Sequence, residues 1–140
     1  MKGTVIMTDG ELAVLAVKAM ENSYSPYSGF KVGAALESKS GKVFTGCNVE
    51  NSAFTPTCCA ERVALFKAVS EGEREFKKIA VAGGKNGNID SVCTPCGVCR
   101  QALSEFCGAD FKIICAGRDE VKAFTLSELL PHSFSSEDVL

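Results

Sequence analysis

Residues 57–117, TCCAERVALFKAVSEGEREFKKIAVAGGKNGNIDSVCTPCGVCRQALSEFCGADFKIICAG, decide the architecture. From Thr57 the run CCAERVALFKAVSEG combines good helix formers with Val63, Phe66 and Val69 on one side and Gly72 as a stop, which predicts a helix. KKIAVAGG is a short β-type run ending in glycines, and NGNIDSVCT is a polar loop. Thr94 can cap a further helix with Pro95 at its first position, PCGVCRQALSEF, closed near Gly108. FKIICAG then reads as another strand. Strand and helix therefore alternate through this half of the chain, the pattern of a sheet covered by helices.

Working outward, Thr8 to Glu21 places Leu12, Leu15, Ala16 and Ala19 at helical spacing behind a Thr8 or Asp9 cap. SYSPYSGF breaks that helix with Pro26 and Gly29. KVGAALES and KVFTGCNVE follow as two apolar runs joined by Lys39-Ser40-Gly41, a hairpin. Downstream, EVKAFT reads as a short strand beside FKIICAG, and LSELL as a last helical turn before the tail PHSFSSEDVL. The expected fold is α/β, a three-layer α/β/α arrangement around a mixed, roughly five-stranded sheet.

A chain of 140 residues suffices for one domain spanning 1–140 and is short for two. Apolar residues make up 46% and charged residues 23%, so disorder is not expected. The balance of 15 basic against 17 acidic residues, a net −2, gives no field to gather nucleic-acid phosphates. No nucleic-acid partner is expected. Lys2 is followed by Thr8, Asp9 and Glu11 before any apolar run long enough for a signal peptide, and no stretch approaches a membrane span. A cytoplasmic protein with no membrane partner is expected. Eight cysteines in a reducing compartment then call for an explanation other than disulfides.

Two cysteine groups sit at predicted helix starts: Cys58-Cys59 opens one helix, and Cys96 and Cys99 lie in the first turns of the other. The partial positive charge and unpaired N–H groups of a helix N-terminus favour thiolate over thiol, the form that ligates metal. Three-residue spacing puts Cys96 and Cys99 on one helix face, and a third sulfur from the other helix completes a tripod with one coordination position open. Spacing alone does not choose the third sulfur, because Cys58 and Cys93 also stand nearby. A closed structural site of Cys59, Cys93, Cys96 and Cys99 is the plainer alternative. Glu61, two residues after Cys59, favours the open site, since an inert one has no reason to place a carboxylate beside the metal.

Cys59-Ala60-Glu61 followed by Pro95-Cys96-Gly97-Val98-Cys99 resembles the zinc deaminase signature, in which a ligand-x-Glu triplet precedes P-C-x-x-C. YSPYSGFKVGAA, GCNVEN, CAERVALFKAVSEG, PCGVCRQAL and LLPHSFSSEDV extend the likeness to the small three-cysteine cytidine deaminases over nearly the whole chain. The resemblance implies one zinc ion per chain on Cys59, Cys96 and Cys99, with Glu61 as the proton shuttle. It implies hydrolytic deamination of cytidine and 2′-deoxycytidine in pyrimidine salvage, by a homotetramer with shared active sites. Zinc lowers the pKa of a water ligand from about 15.7 toward about 7, which suits attack on C4 of cytosine. Three thiolates blunt that Lewis acidity, and Arg62 next to Glu61 is placed to offset it by hydrogen bonding to them.

By the same resemblance Asn48 and Glu50 bind the ribose 3′-hydroxyl, and Phe30 packs on the pyrimidine. Phe134 stacks on the base from a neighbouring subunit, while the Ala60 N–H and the Thr94 C=O face the O2 and the amino group of the base. Phe54 stands where the family commonly has tyrosine, and His132 where a small residue is usual. His132 is expected at the surface or an interface, and Cys47, Cys58, Cys93, Cys107 and Cys115 are expected as small buried residues. The alternatives are a blasticidin-type aminopyrimidine deaminase, in which the Asn48-Val49-Glu50 stretch would not be kept, and a non-catalytic zinc module. A polynucleotide editor is disfavoured by the charge balance.

Overall fold

The computed structural model describes residues 7–140. Among these, five strands form one mixed sheet in the order β2-β1-β3-β4-β5. They are β1 (Phe30–Ser38), β2 (Val43–Cys47), β3 (Phe76–Lys85), β4 (Lys112–Ala116) and β5 (Val121–Thr125). β1 runs antiparallel to β2 and β3, β3 parallel to β4, and β4 antiparallel to β5. The helices are α1 (Asp9–Ala19), α2 (Ala60–Ser70), α3 (Gly97–Ser104) and the single turn α4 (Leu126–Leu129). No described helix is long and apolar enough to cross a membrane. The reading of the segment around Lys2 lies outside the described residues.

The sheet separates two apolar clusters, as a two-faced sheet must when both faces are covered. On one face α1 lays Leu12, Ala13 and Ala16 against Ala35, Ala80 and Ile114. On the other, α2 and α3 lay Leu65, Ala68 and Leu103 against Leu36, Ile79 and Ile113. Burying each large aliphatic side chain contributes about 1.5–3 kcal/mol. Of Val63, Phe66 and Val69, the row that marked α2 in the sequence, Phe66 is half exposed, whereas Val69 packs at the edge of this core and Val63 lies against β2 at Gly46; the buried row is Ala60, Ala64, Leu65 and Ala68.

Two glycines let helix and sheet close up. A Cβ on Gly33 of β1 would stand 2.0 Å from the Ala16 carbonyl oxygen, and one on Gly46 of β2 2.5 Å from the Ala60 carbonyl oxygen. Both meet helix backbone, so only glycine permits the contact. Gly46 thereby fixes how near the first turn of α2 lies to the sheet.

Both site helices start later than the sequence suggests. α2 opens at Ala60 with Cys59 as its N-cap, because Cys58 N–H and C=O pair with Val49 at 2.9 Å each in a β-bridge, holding Cys58 extended. α3 opens at Gly97 with Cys96 as its N-cap, not at Pro95. Cys96 is extended, with φ −69° and ψ 168°, so the helical ladder begins at its carbonyl, while the Pro95 carbonyl accepts instead from Arg100 Nε at 2.6 Å. α1 keeps the Thr8–Glu11 capping box but ends at Ala19, running on as a 3₁₀ turn over Met20–Asn22.

Candidate active site

α2 and α3 lie side by side with their N-termini converging on one spot, and three sulfurs meet there. The Sγ atoms of Cys59, Cys96 and Cys99 all lie within 4.8 Å of one another. Cys59 and Cys96 are 3.8 Å apart, the separation of about 3.8 Å that tetrahedral Zn–S bonds of about 2.3 Å require. Cys59 and Cys96 are the N-cap residues of their helices, so both sulfurs sit where unpaired backbone N–H groups concentrate positive potential. Cys58 and Cys93 stand outside this group. The donor set therefore fits zinc with three thiolates and a fourth position that no protein sulfur takes.

The thiols differ in readiness to ionise. The Cys99 thiol donates to Cys59, and Arg62 and Cys96 add further hydrogen bonds, which hold Cys59 well below the ordinary thiol range. Cys99, as donor, is pushed up by the same bond and by burial. Burial pushes Cys93 and Cys107 up to about 12 and Cys115 to about 11, so these remain neutral thiols. Cys115 is buried as expected, but Cys47 at a strand end, Cys58 in an isolated bridge, Cys93 in the loop before α3 and Cys107 just past α3 against the core edge are only half-buried.

Around the sulfurs is a cavity of about 250 Å³ lined by Ser28, Phe30, Val32, Asn48, Glu50, Thr57, Cys58, Cys59, Glu61, Thr94 and Cys96. Glu61 is 4% exposed, and burial pushes its carboxyl up to about 7. That value matches a group that must both take and give a proton near neutral pH. Arg62 donates from its terminal nitrogen to Cys59 Sγ at 3.4 Å, while its Nε is buried without a partner among the described residues. Ala60 is the first residue of α2, so its N–H has no partner within the helix. A larger groove of about 790 Å³, lined by Ala13, Val14, Val17 and Val121 among others, holds neither cysteine nor buried carboxylate, and the chemistry lies in the smaller cavity.

Asn48 and Glu50 both reach the cavity, each already engaged. Asn48 Oδ1 accepts from Val32 N–H at 2.9 Å and its Nδ2 donates to the Phe30 carbonyl at 2.8 Å, so it clamps the start of β1 across the sequence rather than capping its own turn. Glu50 accepts from the N–H groups of Tyr27 at 3.0 Å and Ser28 at 3.1 Å and from the Ser28 hydroxyl. These bonds, Ser28 first, hold its carboxyl below the ordinary range, ready to accept from a sugar hydroxyl. Ser28 and Tyr27 escaped the sequence reading; a polar residue next to Pro26 in a turn gave no signal of its carboxylate partner 22 residues on. Phe30 borders the cavity and is 40% exposed.

Phe134 does not reach these residues: it is exposed and lines a separate cleft with Ser104, Cys107 and Leu130. His132 is exposed, with φ at +56°. Phe54 is 70% exposed and packs edge-on against Tyr27 with ring centroids 6.0 Å apart.

A sulfur tripod and a buried carboxylate at paired helix N-termini, on an α/β/α sheet, define a zinc-site hydrolytic class. Residues 7–115 match the profile of the cytidine and deoxycytidylate deaminase zinc-binding region. A cytidine deaminase of Sporosarcina psychrophila is 46% identical over 123 residues, 87% of this chain and 88% of that protein. One of Halalkalibacterium halodurans is 46% identical over 125 residues, covering 89% and 92%. The crystal structure of cytidine deaminase from Burkholderia pseudomallei superposes with a TM-score of 0.84 at 42% identity, covering 91% of this chain and all of that one. The chain belongs to the cytidine and deoxycytidylate deaminase family.

Proposed function

We propose that this chain hydrolyses the amino group of cytidine and 2′-deoxycytidine, giving uridine or 2′-deoxyuridine and ammonia in pyrimidine salvage. One observation carries the reading: a buried carboxylate, Glu61, lines the same cavity as two of three sulfurs grouped for a single ion. Cys59, Cys96 and Cys99 hold zinc, which supplies the Lewis acidity that makes water nucleophilic at neutral pH.

Every other step falls to side chains and backbone. Glu61 takes a proton from the attacking water and gives it to ring N3 as C4 becomes tetrahedral; it then takes the second proton from the new C4 hydroxyl and passes it to the amine, which leaves as ammonia while the C4 carbonyl forms. Its burial removes competing solvent from that transfer. Arg62 draws charge from the thiolates through its bond to Cys59. Phe30 packs on the pyrimidine, the Ala60 N–H and Thr94 C=O fix its O2 and amino group, and Asn48 and Glu50 hold the 3′-hydroxyl. Phe134 faces away from its own cavity, which supports a homotetramer in which it completes a neighbour's site. Residues 1–140 act as one domain, and the eight free thiols support a cytoplasmic setting.

The test is ultraviolet detection of cytidine conversion with and without a zinc chelator, together with Glu61→Gln. Turnover lost on chelation and regained with zinc is expected. Glu61→Gln should keep one zinc per chain and lose about 10²–10⁴-fold in kcat. Retained turnover in that variant would refute the proton shuttle, and absent turnover in the parent would leave a non-catalytic zinc module.

A further inference from the structure

Gly83 lies on β3 opposite Val32 of β1, on the sheet face that carries α2 and the sulfur cluster. A Cβ built there would stand 3.0 Å from the Phe30 ring at Cε1, 3.0 Å from Cys93 Sγ and 3.2 Å from Val32 Cγ2. Such distances are tighter than all but a few side-chain contacts, so a neighbour must give by a few tenths of an ångström. Unlike the close contacts at Gly33 and Gly46, all three neighbours are side-chain atoms, and the backbone need not give way. Cys93 and Val32 are half-buried, and Val32, though it also lines the cavity, is a short β-branched side chain stiff at its first torsion, whereas the Phe30 ring is exposed toward the cavity that Glu61 and Cys59 line. The ring has open space on that side.

We propose that Gly83 is a specificity-determining residue: its missing side chain lets the Phe30 ring lie back against the sheet and so sets the width of the slot for the pyrimidine. Even a methyl group at 83 pushes the ring into the space of the base, while the sulfur cluster and Glu61 stay in place. Cys93 is the second wall. Removing its sulfur relieves the added methyl on that side, so a small shift of β3 toward the space left behind frees the ring. The inference rests on Phe30 bordering the base, as in the proposed function.

The experiment is cytidine kinetics on Gly83→Ala, Cys93→Ala and the double variant, with zinc content measured on each and a crystal structure of Gly83→Ala. Gly83→Ala is expected to raise KM roughly ten-fold, in keeping with modest overpacking, with kcat within about two-fold and one zinc per chain. Cys93→Ala alone should leave KM near the parent value, and the double variant should recover most of the loss. An unchanged KM in Gly83→Ala overturns the proposal. So does an insoluble or zinc-free Gly83→Ala protein, because the cost then falls on the fold and not on Phe30. If the parent shows no turnover the proposed function fails, yet the crystal structure still decides this point: a Phe30 ring displaced into the cavity supports it and an unmoved ring refutes it.

Discussion

Replacing Arg62 by alanine removes a cation that touches the sulfur cluster while leaving every ligand in place. Its terminal nitrogen is 3.4 Å from Cys59 Sγ. At an effective dielectric constant of about 20, a full charge pair at that distance is worth about 5 kcal/mol before desolvation. The half-buried guanidinium gives much of that back, and a net of roughly 1.5–3 kcal/mol is usual for a hydrogen bond to a charged group. Zinc affinity should therefore fall roughly ten- to hundred-fold in Arg62→Ala, the range seen when outer partners of metal ligands are removed. Competition against a chromophoric chelator measures it directly. Arg62→Lys keeps the charge without the planar fork and should fall between the two. Parental zinc affinity together with parental turnover in Arg62→Ala would refute the idea that this arginine tempers the thiolates.

Two further outcomes follow from the packing. Gly46→Ala drives a methyl to 2.5 Å from the Ala60 carbonyl oxygen and 2.6 Å from Ala64 N, both backbone atoms, and should destabilise by at least about 3 kcal/mol in urea unfolding. A loss below about 1 kcal/mol would show that α2 can shift off the sheet. Asp9 pairs with Lys78 at 2.9 Å and Lys112 at 3.1 Å, tying the start of α1 to β3 and β4. The hydrogen bond from Lys78, more than any other contact, lowers the Asp9 carboxyl below its ordinary 3.8 against the opposing effect of burial. The stability this adds is present above pH 3.8 and is lost as pH falls through the lower folded value. Asp9→Asn should accordingly lower Tm at neutral pH, with the gap to the parent closing in acid; a gap independent of pH would contradict the pairing.

The parts of the site legible in the sequence are those fixed by local spacing. Cys96 and Cys99 share a helix face, Glu61 follows Cys59 at a fixed interval, and Asn48 and Glu50 alternate at a strand end. Helix starts were misjudged because long-range bonds set them. The bridge from Cys58 to Val49 holds extended a residue that propensity alone would place in a helix, and the Pro95 carbonyl finds its partner in the Arg100 side chain rather than in a helical turn. The five-strand sheet was readable because β1, β3 and β4 carry near-continuous apolar runs, as central strands buried on both faces do. Ser28 and Tyr27 were not, because a carboxylate acceptor distant in sequence leaves no local trace. The row of Val63, Phe66 and Val69 shows a further limit: periodicity finds a helix but does not say which side is centred on the sheet when alanines fill the buried side, and here it leaves Phe66 at the surface and the two valines at the edge.

X-ray absorption at the zinc edge of the loaded protein tests the central claim most directly, since it counts the atoms around the ion. Three sulfurs at about 2.3 Å and one lighter oxygen or nitrogen neighbour are predicted. Four sulfurs would mean a closed structural centre with no position for water, and would contradict the account.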